Sequence, residues 1–184
     1  MDYCIKNMVC DRCIAAVKAV LASLGVEHYD VKLGTVSVPE PLGADTLKSF
    51  DAGLRELGFQ RVSDQNDELV ERAKAAVLDH VRNEAECHLK LSACVEHQMG
   101  VPYDTVSRIF SQREGRTIEK YHIAQKVERV KELLSYGGRS LDEIADISGY
   151  SSGAHLSRQF KAVTGLTPSE FVKLGCPRNP LDKI

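Results

Sequence analysis

Apolar residues follow two rhythms along this chain. Up to about residue 62, short strand-like runs interleave with two helical stretches; beyond that, helical spacing takes over. Tyr3 to Asn7 reads as a strand. Ile14, Val17, Val20, Leu21 and Leu24 mark the inner face of a helix from about 11 to 24, and Gly25 ends it. VEHYDVKL and GTVSV read as strands with Gly34 at the turn between them. Leu47, Phe50, Leu54 and Leu57 mark a second helix from about 45 to 57. Gly58 ends that helix, and FQRV is a last short strand.

The order β-α-β-β-α-β is that of the ferredoxin-like split unit, which predicts a first domain over 1–63. On the first strand Ile5 points to the core, so Cys4 is expected to be a surface thiol. SDQND at 63–67 is a polar linker. Leu69, Ala73, Val77 and Val81 mark a helix from about 67 to 83, within a connecting region of 64–89. It is expected to pack on the helical half or to join the two halves.

The second half contains a repeat. Shifting the sequence by fifty positions aligns Val106 with Leu156, Ser107 with Ser157, Arg108 with Arg158 and Phe110 with Phe160. The same shift pairs Gly115 with Gly165, Thr117 with Thr167 and Tyr121 with Phe171. A duplicated unit in register is a strong signal, because chance matches rarely repeat. In the second copy Ser140 and Glu143 form a capping-box pattern, and Leu141, Ile144, Ala145 and Ile147 give a short helix one apolar face. Gly149 breaks it. Ser151 and Ser152 open the next helix, with Leu156 and Phe160 inward. Helix, tight turn and helix make a helix-turn-helix, whose second helix can lie in a DNA major groove. Between the copies, Ile123, Val127, Val130 and Leu134 mark one face of a helix that Gly137 stops. Roughly seventeen residues at about 1.5 Å each span about 26 Å. Two recognition helices so joined reach successive groove turns about 34 Å apart. The fold class expected is therefore α+β: a small βαββαβ domain, then an all-α domain over 90–175.

Charge sharpens this division. The 184-residue chain carries a net charge of −2. Residues 1–63 have net charge −1, 64–89 have −4 and 90–184 have +3. The positive excess lies on the helix-turn-helix half, as phosphate binding requires. The groove-facing positions expected are Asp104, Thr105, Ser107 and Arg108 in the first copy. In the second they are Gly153, Ala154, His155, Ser157 and Arg158, with Ser151 and Ser152 near phosphates.

The linker-helix run AQKVERVKELL, the motif SLDEIADISGYSS and the closing HLSRQFKAVTGLTPSEF resemble the DNA-binding domain of the AraC family of bacterial transcription regulators. The resemblance covers residues 90 to 173. It implies double-stranded DNA and RNA polymerase as partners and leaves a homodimer open. No Ser/His/Asp or carboxylate constellation and no Gly-rich phosphate loop occurs in the sequence, so no enzyme activity is expected.

Cys10 and Cys13 form a Cys-x-x-Cys where the first strand meets the first helix. Helix-terminal N–H groups favour thiolates there, and two such sulfurs can grip a soft ion such as Cu(I) or Zn(II). NMVCDRC, CIAAVKAVLASLGV and LRELGF make residues 3–62 resemble the heavy-metal-associated domain of copper chaperones and transport ATPases. Asn7 stands where that pattern usually has glycine, Val9 where it has threonine, and Asp11 and Arg12 where it has small residues. The resemblance implies that Met8 packs inward as an anchor of the loop. A redox dithiol and scaffold cysteines are the other readings of this pair.

Cys87, His88, Cys94 and His97 also lie close in sequence, and Cys94 with His97 has ligand-compatible i, i+3 spacing. Cys94 and Val95, however, occupy positions where the first helix of the repeat needs core residues. The tail LGCPRNPLDKI is expected to fray. No secretory signal and no apolar run of about 20 residues occur, so a cytoplasmic, membrane-free protein is expected. The function expected is a sequence-specific DNA-binding regulator with a soft-metal-responsive first domain. The alternatives are a regulator whose first domain is an interaction or dimerisation module, and a metal-trafficking protein.

Overall fold

The computed structural model describes residues 1–83 and 89–175. The elements of the first part are β1 (Asp2–Lys6), α1 (Asp11–Ser23), β2 (Asp30–Lys32), β3 (Thr35–Ser37), α2 (Ala44–Glu56) and β4 (Gln60–Val62). The helices α3 (Gln65–Arg82), α4 (Leu91–Met99), α5 (Tyr103–Glu114), α6 (Ile118–Tyr136), α7 (Leu141–Ile147), α8 (Gly153–Thr164) and α9 (Pro168–Leu174) follow. No described helix is long and apolar enough to cross a membrane. Cys87, His88 and Cys176 lie outside the described residues.

The strands form one antiparallel sheet in the order β2-β3-β1-β4, with Tyr3 opposite Val36 and Cys4 opposite Val62. Alternation along β1 sends Tyr3 and Ile5 to the face covered by α1 and α2. There Ile5, Val17, Leu21, Val36, Phe50 and Leu54 are buried, together with Met8 and Phe59. Leu57 does not join them: it is the C-cap of α2 and is 48% exposed. The long run expected as the second strand keeps strand geometry only over Asp30–Lys32.

The opposite face of the sheet is covered as well, by α3. This corrects the expectation for Cys4, which is 5% exposed with its Sγ donating to the Glu68 carbonyl at 3.8 Å. Burial pushes that thiol up to about 12, with Glu71 and Glu68 adding to the effect. The polar stretch before α3 is a capping device: the Asp64 carboxylate accepts N–H bonds from Asn66 and Asp67.

The other face of α3 builds a second core. Val70, Ala73, Val77 and Val81 pack with Val95, Met99, Val106, Phe110, Ile118 and Tyr121. A fully buried Val contributes about 1.5–3 kcal/mol relative to exposure, so this shared face holds α3 firmly to the first repeat. A third core joins Val127, Val130 and Leu133 of α6 to Ile144, Ala145, Leu156, Phe160 and Phe171. Helix α6 therefore belongs to both: Ile118 and Tyr121 serve the second core, and the turns after Val127 serve the third. Ile147, at the end of α7, is 37% exposed rather than part of the apolar face.

Candidate functional site

The second helices of the two repeats share their backbone boundaries, while the first helices, α4 and α7, run nine and seven residues. Helices α5 and α8 both run twelve residues, fifty positions apart, and each ends in a left-handed glycine, Gly115 or Gly165. Thr117 and Thr167 then cap α6 and α9, each hydroxyl accepting the N–H three residues on, from Lys120 or Glu170. Inside each unit an aromatic pair locks the second helix to the next: Phe110 lies 5.6 Å from Tyr121, and Phe160 lies 5.5 Å from Phe171. Val106 and Leu156 are fully buried on the inner side, which fixes the outer side of each helix.

That outer side carries the expected polar set. Asp104 and Arg108 on α5 are exposed, and Thr105 and Ser107 are half-buried. On α8, Ala154, His155 and Arg158 are exposed, Ser157 is half-buried, and Ser151 and Ser152 are exposed before it. Ser152 caps α8 by accepting the His155 N–H at 3.2 Å. His155 Nδ1 lies 3.1 Å from Ser151 Oγ, and its ring meets Tyr150 edge-on. The imidazole is thus held in place at the helix entrance.

Gly153 is the exception and corrects the expectation. It is buried, and its N–H donates to Asp142 Oδ1 at 3.0 Å. A Cβ there would stand 2.6 Å from that oxygen. Gly153 lets α8 approach α7; it does not face outward to read bases.

The two turns are pinned from outside by cations that periodicity does not disclose. Arg72 of α3 donates to the Met99 carbonyl at 3.1 Å in the first unit. Lys126 of α6 donates to the Gly149 carbonyl at 3.2 Å in the second and lies 4.1 Å above the Tyr150 ring. Lys126 is buried among the apolar positions of α6, whereas Arg72 is exposed on α3 and nothing local marks it. Arg113, near the end of α5, is held by Asp64 and Asp67 at 3.1 and 3.3 Å, and Lys74 binds Glu114 at 2.7 Å. The first unit is therefore anchored to α3, and α3 to the sheet.

Cys10 and Cys13 come together at the start of α1, with sulfurs 3.4 Å apart and both half-buried. Cys13 packs against the first core, and burial raises its pKa. Asn7 adopts the left-handed conformation, φ 73°, and donates from Nδ2 to the Gly58 carbonyl at 3.0 Å. A residue other than glycine is accommodated here because its amide secures the turn. Asp11 and Val9 belong to a clamp: Arg82 Nη2 donates to the Val9 carbonyl at 2.7 Å, and Nη1 lies 3.4 Å from Asp11 Oδ1. Among the described residues, no three His, Cys, Asp or Glu groups are placed to hold a metal together. Cys94 and Val95 are buried at 6% and 0%, in the core positions the helix needs.

Residues 96–173 match a family model described as a helix-turn-helix domain. The chain is similar to the arabinose operon regulatory protein of Salmonella typhimurium, at 28% identity over 110 residues. That alignment covers 60% of this chain and 37% of the relative. It is also similar to the xylose operon regulatory protein of Escherichia coli, at 26% identity over 113 residues, or 61% of this chain and 29% of the relative. This chain thus spans less than two fifths of the length of these curated relatives. Among solved structures, the C-terminal domain of AraT, a response regulator from Geobacillus stearothermophilus, shares the fold. The TM-score is 0.53 at 23% identity, over 60% of this chain and 88% of that one. Residues 96–173 are thus a helix-turn-helix domain, similar to parts of the arabinose and xylose operon regulatory proteins.

Proposed function

We propose that the chain is a sequence-specific DNA-binding transcription regulator, with α5 and α8 each entering a major groove. One observation carries this reading: two copies of a twelve-residue helix, each with an exposed arginine at the same register, stand at either end of the 19-residue α6. That helix is about 28 Å long, close to the roughly 34 Å between successive groove turns. Arg108 and Arg158 are the base-reading candidates, with Thr105, Ser107, His155 and Ser157 beside them. Asp104 selects against phosphate and for donor-bearing base edges. Contact with RNA polymerase and formation of a homodimer belong to the same reading. Footprinting on the DNA upstream of the protein's own coding region tests it. A protected site spanning two successive groove turns supports it, and uniform sequence-independent binding overturns it.

The β-α-β-β-α-β half is read as a ferredoxin-like, heavy-metal-associated-like module, supported by its element order and by the buried Met8 behind the cysteine loop. Two adjacent half-buried thiols suit a two-coordinate soft cation, Cu(I), better than Zn(II), which takes four ligands. Cys10 and Cys13 would hold the ion, and bound metal would supply a fixed bridge between loop and helix. Copper titration against a competing chelator, comparing wild type with Cys10→Ser/Cys13→Ser, tests this directly. Equal uptake by the two proteins removes the cysteines as ligands. The Arg82 clamp on Val9 and Asp11 favours a second reading, in which the loop serves only to hold the two halves together.

A further inference from the structure

The Cys10 side of the loop opens on a cleft of about 620 Å³ between the first module and α6. One wall is Cys10 and Arg12; the floor is Leu78, Val81 and Arg82 of α3; the far wall is Arg129 and Tyr136 of α6, with Glu132 between them. Three guanidinium groups and two carboxylates line the cleft; Arg82 pairs with Asp11 and Arg129 with Glu132, so the lining's net positive charge falls on Arg12. Its size is that of a small-ligand pocket and its apolar floor is short. Arg82 is committed to the loop it clamps, and Arg129 also pairs with Glu132 at 2.6 Å. Arg12 is exposed at the rim.

We propose that this cleft is a reaction site for a low-molecular-weight disulfide bearing carboxylates, with Cys10 as the attacking thiol and Arg12 and Arg129 holding the acidic groups. The Cys10 sulfur, as thiolate, forms a bond to one sulfur of the bound disulfide. The disulfide bond of the small molecule breaks, and its other half leaves as a thiolate that takes up a proton. Cys13, whose sulfur lies 3.4 Å from that of Cys10, then attacks the mixed disulfide. A Cys10–Cys13 disulfide forms and the second small thiol leaves with the Cys13 proton. In sum, two protein thiols are oxidised by two electrons and one small disulfide is reduced to two thiols. The far wall lies on the part of α6 that carries Val127, Val130 and Leu133 of the third core. An adduct in the cleft would therefore press on the helix that bears the second recognition unit. The chemistry stands independently of the DNA-binding reading.

The test uses the full chain, reduced and kept metal-free with a chelator. Cys13→Ser protein is mixed with glutathione disulfide, which is anionic, or with cystamine, which is cationic, and adducts are located by peptide mass analysis. Rates are divided by those of a small free thiol with the same two reagents. The expected result is an adduct on Cys10, formed at least about tenfold faster with glutathione disulfide, the scale of local anion enrichment by a cationic cleft. Arg12→Ala/Arg129→Ala should abolish the preference, while Arg12→Lys/Arg129→Lys keeps it, and circular dichroism confirms that both variants are folded. Equal normalised rates for the two reagents, an adduct on another cysteine, or a preference that survives the double alanine variant would each overturn the proposal. DNA binding is not part of the readout, so failure of the regulator reading leaves the result intact.

Discussion

The backbone N–H of Gly153 donates to Asp142 Oδ1 at 3.0 Å, so the first residue of α8 is held by a carboxylate from α7 across the turn. A methyl group at 153 would meet that oxygen at 2.6 Å and Leu141 Cγ at 3.5 Å. Gly153→Ala is expected to push the Asp142 carboxylate aside and destabilise the protein by about 0.5–1.5 kcal/mol, the worth of the hydrogen bond it displaces. Asp142→Ala removes the obstruction along with the hydrogen bond. The two changes should therefore be less than additive, by at least about 0.5 kcal/mol. Urea unfolding of the four proteins of this cycle gives the number, and strict additivity would show that the contact is not the cause.

Arg108 and Arg158 are exposed on the outer sides of α5 and α8, whereas Arg113 is engaged by Asp64 and Asp67. Replacing either Arg108 or Arg158 by Ala is expected to weaken binding to the footprinted site by about 1–3 kcal/mol. Arg113→Ala should leave DNA affinity nearly unchanged and act on stability instead. Fluorescence anisotropy at one fixed salt concentration separates the three. A loss for Arg113→Ala as large as for Arg108→Ala would mean that the acidic pair releases its arginine on DNA.

Cys4 is buried beneath α3, and its pKa is pushed up from 9.0 to about 12. In the folded protein it keeps its proton where the unfolded chain loses it. The stabilising contribution is therefore present below pH 9 and falls away as pH rises toward 12. Cys4→Ala should flatten the alkaline loss of stability measured by denaturant unfolding at successive pH values. Native-state alkylation at pH 8 should mark Cys10 well before Cys4. Simultaneous labelling would show that α3 lifts from the sheet.

Arg82 bonds both to the Val9 carbonyl and to Asp11, and no shorter cation reproduces both contacts. Arg82→Ala is expected to cost about 1 kcal/mol, and Arg82→Lys nearly as much. Hydrogen exchange should rise at residues 8–12 while the second repeat keeps its protection. Unchanged exchange in the loop would show that the clamp is idle.

The helical half was legible to a degree set by repetition. Shifted by fifty, the apolar positions of α5 and α8 coincide, and Ser140 with Glu143 announced a cap that the backbone realises: Glu143 Oε2 accepts the Ser140 N–H at 2.6 Å. What was missed depends on partners distant in sequence. Gly153 looked exposed because nothing local shows that Asp142 will meet it. Cys4 looked exposed because alternation assigns it to the face opposite Ile5; no local pattern says that α3 will cover that face. Leu57 kept the helical spacing of Phe50 and Leu54, but α2 ends before it, and position without a neighbouring layer buries nothing. Lys126 and Arg72 sit at helical registers that hydrophobicity leaves blank, and only the folded turns show what they hold.

The shared register of Thr117 and Thr167 has an engineering consequence. The first turns of α6 and α9 present the same capped start after the same left-handed glycine, fifty residues apart. The unit from Thr117 to Leu166 is therefore a cassette with matched ends. A second copy spliced between Leu166 and Thr167 would enter and leave through junctions the chain already uses, adding a third helix of the α5/α8 kind without a designed linker.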